Sequence, residues 1–219
     1  MALIKGILAR IYACDDVTAS TTFTGEATAA NGTRTQFTIT NTAKRFWDPS
    51  ATFVVKLGGT PISSYTSLQK PGGRVNFATD PGAGAITVDG KYFVVSSFIQ
   101  CKSWELAAEF DYFDSTCFGD TMRVQVPAMR SATVSVAGFH LEPTEAPDPA
   151  DDRFLLLKNA QLVGLDLFMD ATASSEKRYA VYGRMASVSQ SAAVDNLIEQ
   201  PMTFNVIDGP YYISGLGTA

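Results

Sequence analysis

From Trp104 onward the large apolar residues fall on every second position, Trp104, Leu106, Ala108, Phe110 and Tyr112, with Glu105, Glu109 and Asp111 between them. Side chains two apart share one face of a strand, so this is the period of a sheet with a buried side and a wet side. Small and polar residues gather at 114–120. Alternation then resumes as Met122, Val124 and Val126 against Arg123 and Gln125. Pro127 interrupts that ladder, and 131–138 (SATVSVAG) alternates once more. The pattern predicts three consecutive segments in one antiparallel meander. No residue set within it has the look of an active site.

The rest of the chain carries the same strand signals. Residues 2–13 read as a first strand closed by Asp15 and Asp16, and Asn31-Gly32 predicts a two-residue hairpin turn returning through 35–40 (TQFTIT). Asn41 is placed to cap one short turn before Asp48-Pro49 stops it. Strands then follow at close spacing: 52–57, 62–66, 74–78 and 85–99, the last with a break at Asp89-Gly90. They are separated by Gly58-Gly59, Pro71-Gly72-Gly73 and Pro81-Gly82. Such spacing predicts a small β module over 21–95, inserted between a first strand in 1–20 and a β core in 96–219. A single sandwich containing all these strands is the competing arrangement.

Residues 141–152 hold Pro143, Pro147 and Pro149 among five acids and cannot continue a sheet. The acids precede 153–158 (RFLLLK), where a short helix gains from negative charge at its start and from Lys158 near its end; a strand over the same run stays open. Alternation at 162–170, a long strand over 178–191 or a strand there with a bulge at Gly183, and a strand over 201–207 complete the pattern. The tail from Asp208, with Tyr211, Tyr212 and Ile213, reads as a flexible aromatic terminus that seeks a partner. The expected fold is mainly β: an antiparallel β-sandwich or half-barrel with one short helix, plus a small inserted or appended β module.

The totals narrow the function. A net charge of −5 argues against a surface that grips nucleic acid, because holding phosphates takes clustered Lys and Arg. Cys14, Cys101 and Cys117 are odd in number and lack metal spacing, which suggests reduced thiols rather than a disulfide framework. Residues 1–11 have no apolar core with a small-residue cleavage site, and no run approaches the roughly 18 apolar residues of a spanning helix. A protein soluble where it is made is expected.

Chemistry finds little support. The lone histidine, His140, has Ser131, Ser135 and Glu142 nearby in sequence, but no GxSxG elbow surrounds a serine, and a capping or surface role is favoured. On a strand Glu105 and Glu109 stand roughly 13 Å apart, too far for a glycosidase pair, while Glu109 and Asp111 approach the inverting range. A solvated acidic face explains them more simply. The aspartates at 15 and 16, at 151 and 152, and across 111–120 lack the twelve-residue calcium-loop pattern. No phosphate-binding GxxxxGK[ST] is present, and Trp47 and Trp104 suit a core or an interface better than a base-stacking platform. No catalytic residue, cofactor or metal ligand is assigned, and an enzyme is not expected.

FDYFDSTCFGD at 110–120, VPAMRSATVSVAGF at 126–139 and RYAVYGRMASVS at 178–189 carry a likeness of order and composition that spans about 97–204. In these stretches the chain resembles the tail tube (major tail) proteins of long-tailed bacteriophages. The segment TQFTITNTAKRFWDPSATFVV, with GGRVNF after it, is similar to small β modules embedded in some phage structural proteins. The resemblance implies a virion protein made in the bacterial cytoplasm, closing into hexameric rings that stack as a hollow tail tube for DNA. It implies partners among the other tail proteins, such as the tape measure and tail terminator, with DNA passing unbound and no membrane anchor.

Strands with one acidic face and open edges suit ring closure, since pairing between subunits satisfies the exposed backbone. On that basis Glu105, Glu109 and Asp111 are expected to face the lumen. Asp114, Ser115, Thr116, Phe118 and Asp120 form the expected ring-stacking loop, and Tyr211, Tyr212 and Ile213 the terminal contacts. A carbohydrate- or receptor-binding β-sandwich of a virion, suggested by Tyr65, Trp47, Tyr92 and the Asn- and Asp-rich turns of 21–95, is the alternative, and a glycosidase resting on Glu109 and Asp111 the third.

Overall fold

In the computed structural model, residues 11–15, 20–94, 96–97, 100–115, 117, 122, 125–139, 157–170, 177–189 and 201–213 are described. The chain enters as β1 (Ile11–Asp15) and then builds one sheet from β2 (Thr21–Ala30), β3 (Gln36–Ile39), β4 (Val54–Leu57), β5 (Thr60–Ile62), β6 (Ser67–Gln69), β7 (Arg74–Asn76) and β8 (Ile86–Tyr92). It returns through β9 (Ser96–Ser97) to a second sheet. That sheet is completed by β10 (Gln100–Asp114), β11 (Gln125–Phe139), β12 (Leu162–Asp170), β13 (Lys177–Val188) and β14 (Met202–Ile213). The sheet orders are β5-β4-β8-β2-β3-β7-β6 and β10-β11-β14-β13-β12-β1-β9, antiparallel throughout. The fold is mainly β, as the alternation predicts.

The β10–β14 sheet curls into a half-barrel around Val134, Val136, Val163, Leu165, Leu167, Val181, Met185, Met202 and Phe204. Trp104 and Leu106 of the edge strand β10 pack against the same cluster. The curl is visible in one bond: the Trp104 indole N–H reaches the carbonyl of Phe168 on β12 at 3.0 Å. The β2–β8 sheet has a separate core, built on Phe23, Phe37, Ile39, Trp47, Phe53, Val55, Val75, Phe77, Ile86 and Val88.

The two sheets meet on the outward side of the half-barrel, where Phe46 and Phe93 pack against Ala180, Tyr182 and Ile213. Arg74 donates through Nη1 to the carbonyl of Tyr212 at 2.8 Å. Gly72 lies so close that a Cβ there would stand 2.6 Å from Ile213 Cδ1. A side chain at that turn would displace the Ile213 methyl and strain a backbone held at a φ of 99°.

Several elements differ from the sequence expectation, each for a local reason. Residues 103–139 form two long strands and not three, because Pro127 is taken into the ladder opposite Tyr112 beside a register shift. Only β10 pairs with β11 there, which leaves an edge position of the kind that tolerates a missing N–H. The hairpin after β2 is longer than two residues: Asn31 Oδ1 accepts from the Thr35 and Gln36 amides, and Arg34, not Gly32, takes the positive φ of 53°. Asp89-Gly90 does not break β8. Gly90 is bare because a Cβ would lie 2.3 Å from the Phe53 ring, and Phe53 stacks on Trp47 at 4.9 Å.

Asn41 does cap a single 3-10 turn, Thr42–Lys44, accepting from the Ala43 amide. Leu157 and Lys158 are helical, while the remainder of the expected helix at 153–158 lies outside the described residues. The same is true of His140 and of the acidic loop 141–152. Residues 162–170 form β12 but bury both faces: Asp166, on the side away from the half-barrel core, is 6% exposed and pairs with Arg178 Nε at 3.1 Å.

Candidate assembly surface

The β10–β11 hairpin outruns the sheet that supports it. β11 pairs with β14 from Thr133 to Val136, so beyond Ala107 and Thr133 the two strands have each other and no third strand among the described residues. This ribbon continues to Asp114 and Gln125, seven residues on the β10 side, or roughly 23 Å at 3.3 Å per residue. Two-stranded ribbons are marginal in water, because each strand lacks a second neighbour and a core to cover its apolar side.

Where the core ends, the apolar row of β10 comes into solvent. Trp104 and Leu106 are half-buried, but Phe110 is 48% and Tyr112 58% exposed. The two rings lie 6.4 Å apart, and the Arg130 guanidinium sits over the Phe110 ring at 5.2 Å. Met122, between the strands, is 80% exposed. The expectation of one continuous buried row from Trp104 to Tyr112 is therefore corrected: the row is core at its start and open surface at its end. Sequence alternation reports which residues share a face, not how far the opposing layer extends. The one available signal was Arg130, a cation opposite Phe110 in a row otherwise apolar.

The other face of β10 carries the acidic residues. Glu105 and Glu109 are both exposed, and Glu105 continues in register through Ser135 of β11 and Thr203 of β14 to Ser187 of β13. The Asp111 side chain lies outside the described residues, as do Thr116, Phe118 and Asp120 of the expected stacking loop. Asp114 and Ser115 are exposed at its entrance, as is Cys117 within it. β10 is also the last strand of its sheet, so its outer side has no partner strand among the described residues.

Tyr211, Tyr212 and Ile213 do not form a free tail. The stretch from Asp208 is held in β14, with a bulge in which Gly209 and Pro210 oppose the single residue Val181. Gly209 takes a φ of 107°, which glycine alone adopts without strain. Ile213 is 3% exposed within its own chain, and Tyr212 packs on Tyr179 at 5.5 Å while staying 45% exposed. Tyr211 donates to Asp208 at 2.7 Å, and burial together with that carboxylate pushes its phenol up to about 12.

The residues behind the sugar-binding alternative are placed in the β2–β8 core. Trp47 is fully buried, and Tyr65 and Tyr92 pack against the same cluster, which leaves no exposed aromatic platform among them. Among the described residues no group of three or more His, Cys, Asp or Glu is placed to hold a metal ion, and no helix is long and apolar enough to cross a membrane.

No protein-family model matches the chain, and no curated protein matches it. Among solved structures, a chain in the tail of an empty gene transfer agent particle, refined with C6 symmetry, is similar at 10% identity and a TM-score of 0.40. The match covers 53% of this chain and 84% of that one. A chain of the native gene transfer agent virion is similar at 9% identity and a TM-score of 0.40, covering 55% of this chain and 88% of that one.

Proposed function

We propose that the chain is a structural virion subunit, not an enzyme, which assembles into stacked hexameric rings and forms a tail tube through which DNA passes. The observation that carries this reading is the β10 edge: fifteen residues of strand whose outer side pairs with no strand among the described residues. A long open edge is a template for another strand, and soluble monomers normally blunt or cover such edges. Pairing β10 with a neighbouring copy satisfies the backbone and closes a ring. The resemblance of 110–120, 126–139 and 178–189 to tail tube proteins points the same way.

In that ring Glu105 and Glu109, with Asp111, line the channel, and the carboxylates keep phosphates from binding while DNA transits. The loop bearing Asp114, Ser115, Thr116, Phe118 and Asp120 reaches the adjacent ring. The 21–95 segment is an inserted module on the core formed by 1–20 and 96–219. Tape measure and tail terminator proteins are the partners inside and at the end of the tube, and assembly takes place in the bacterial cytoplasm before the protein resides in the virion tail.

Negative-stain microscopy and sedimentation of the concentrated protein test this directly. Rings or regular tubes are expected, and a protein that stays monomeric at every concentration overturns it. The double variant Glu105→Lys/Glu109→Lys tests the channel: its tubes are expected to retain double-stranded DNA at low salt and release it as salt rises, where wild-type tubes retain none.

A further inference from the structure

The outward surface of the half-barrel has two walls that point in opposite directions. Trp104 lies on β10, the first strand of the sheet order, and its indole touches the Phe168 carbonyl on β12, the fifth. Its ring also meets Tyr179 of β13 edge-on at 6.5 Å. A sheet curled far enough for an inward side chain of its edge strand to reach the fifth strand has reversed its outward direction between the two.

One wall is the face of β10 and β11 that carries Glu105 and Ser135, open to solvent. On the opposite wall the outward residues of β12 and β13, Asp166, Phe168, Arg178, Ala180 and Tyr182, are all buried. Ala180 and Tyr182 lie under Phe46 and Phe93 of the β2–β8 sheet. The seat is fixed by the Tyr182 hydroxyl donating to the Trp47 carbonyl at 2.8 Å and by Arg74 on the Tyr212 carbonyl.

From this geometry we infer that in the assembled tube the β2–β8 sheet forms the outer circumference, away from the acidic channel wall, and gives the tail a polar outward coat. The inference rests on the tube reading, with Glu105 and Glu109 toward the channel. The opposite orientation would place the β2–β8 sheet inside the channel and leave the acidic row outside. The coat is suited to water: Thr21, Thr22, Thr24, Ser63, Ser64, Thr66 and Ser67 are exposed or nearly so, and Pro61 in the edge strand β5 withholds an N–H from a would-be pairing strand.

A hexahistidine inserted between Gly58 and Gly59, an exposed turn with open space around it, tests the placement. An antibody to the tag is too bulky to coat the inside of an intact tube. Dense antibody along the tube flanks in electron micrographs is the expected result. Bare flanks on intact tubes, whose subunits bind the antibody once dissociated, overturn the inference and leave the tube standing. Absence of tubes from the untagged protein overturns the tube reading, and this placement with it. If the insertion alone blocks assembly, the same tag between Gly82 and Ala83 gives the same two readouts.

Discussion

The Tyr182 hydroxyl of β13 donates to the main-chain carbonyl of Trp47 at 2.8 Å, joining residues 135 positions apart and tying one sheet to the other. Both residues are buried, Trp47 at 0% and Tyr182 at 1% exposure. Tyr182→Phe keeps the edge-on packing against Phe46 but leaves the Trp47 carbonyl without that donor. A loss of about 1–3 kcal/mol is expected, the cost of an unsatisfied buried acceptor. Urea unfolding followed by Trp fluorescence measures it, and an unchanged midpoint would show that the bond contributes nothing to holding the sheets together.

The Asp166–Arg178 pair gives a second test. Arg178 is 2% exposed, lies over the Phe168 ring at 5.4 Å and meets Asp166 at 3.1 Å, so neither charge can turn to water if its partner is removed. Asp166→Ala alone is expected to cost about 3–5 kcal/mol. The double variant Asp166→Leu/Arg178→Met is expected to recover much of that loss, because a buried pair replaced by apolar side chains carries no stranded charge. Denaturant unfolding of the two variants and the wild type decides it. A double variant as unstable as the single one contradicts the pairing.

The sequence made the strand content legible because alternation is a local property. What lay beyond it was the extent of each opposing layer. Trp104 to Tyr112 shows one unbroken apolar row, yet among the described residues the opposing layer lies behind Trp104 and Leu106, and Phe110 and Tyr112 emerge into solvent. Leu162 to Asp170 alternates in sequence as though one side were wet, yet Asp166 and Phe168 are buried on the outward side. Gly90 misled because it serves packing rather than turning, making room for Phe53, and the tail expected from Asp208 continues β14 through a bulge at Gly209-Pro210. The acidic row needed the strand alone to be found, since Glu105 and Glu109 stand four positions apart, an even offset that puts them on one face.

Asp48 makes part of the stability dependent on pH. Burial works to raise its carboxyl, but hydrogen bonds from Ser50 and Ser20 and the nearby Lys91 charge outweigh it and hold the group below its ordinary value of 3.8. The Ser50 amide and hydroxyl reach Oδ1 at 2.8 and 2.6 Å. A carboxyl depressed in the folded state stabilises the fold above its unfolded pKa, and that contribution fades as pH falls through the folded value. Asp48→Asn is therefore expected to cost about 1–2 kcal/mol at pH 7, as charge-assisted bonds become neutral ones. The gap should close once the pH drops below 3.8 and on through the lower folded value. Unfolding curves of both proteins across that range check this, and a gap that widens in acid reverses the assignment.

The open ribbon makes the sharpest prediction for assembly. Phe110 and Tyr112 are exposed in the lone subunit, so replacing them removes little that the folded monomer uses, and surface changes of this kind stay within about 0.5 kcal/mol. Against a second copy the same rings lose water, and each contributes its full apolar area together with the Arg130 cation stacked on Phe110. Phe110→Ser/Tyr112→Ser should thus unfold at the wild-type midpoint yet fail to form rings or tubes at concentrations where the wild type assembles. Arg130→Ala, which keeps both rings, should raise the concentration needed for assembly by a smaller factor. Sedimentation velocity alongside urea unfolding separates the two effects. Normal tubes from the double serine variant would mean that this end of β10 lies outside the contact between copies, and that assembly draws on the backbone edge alone.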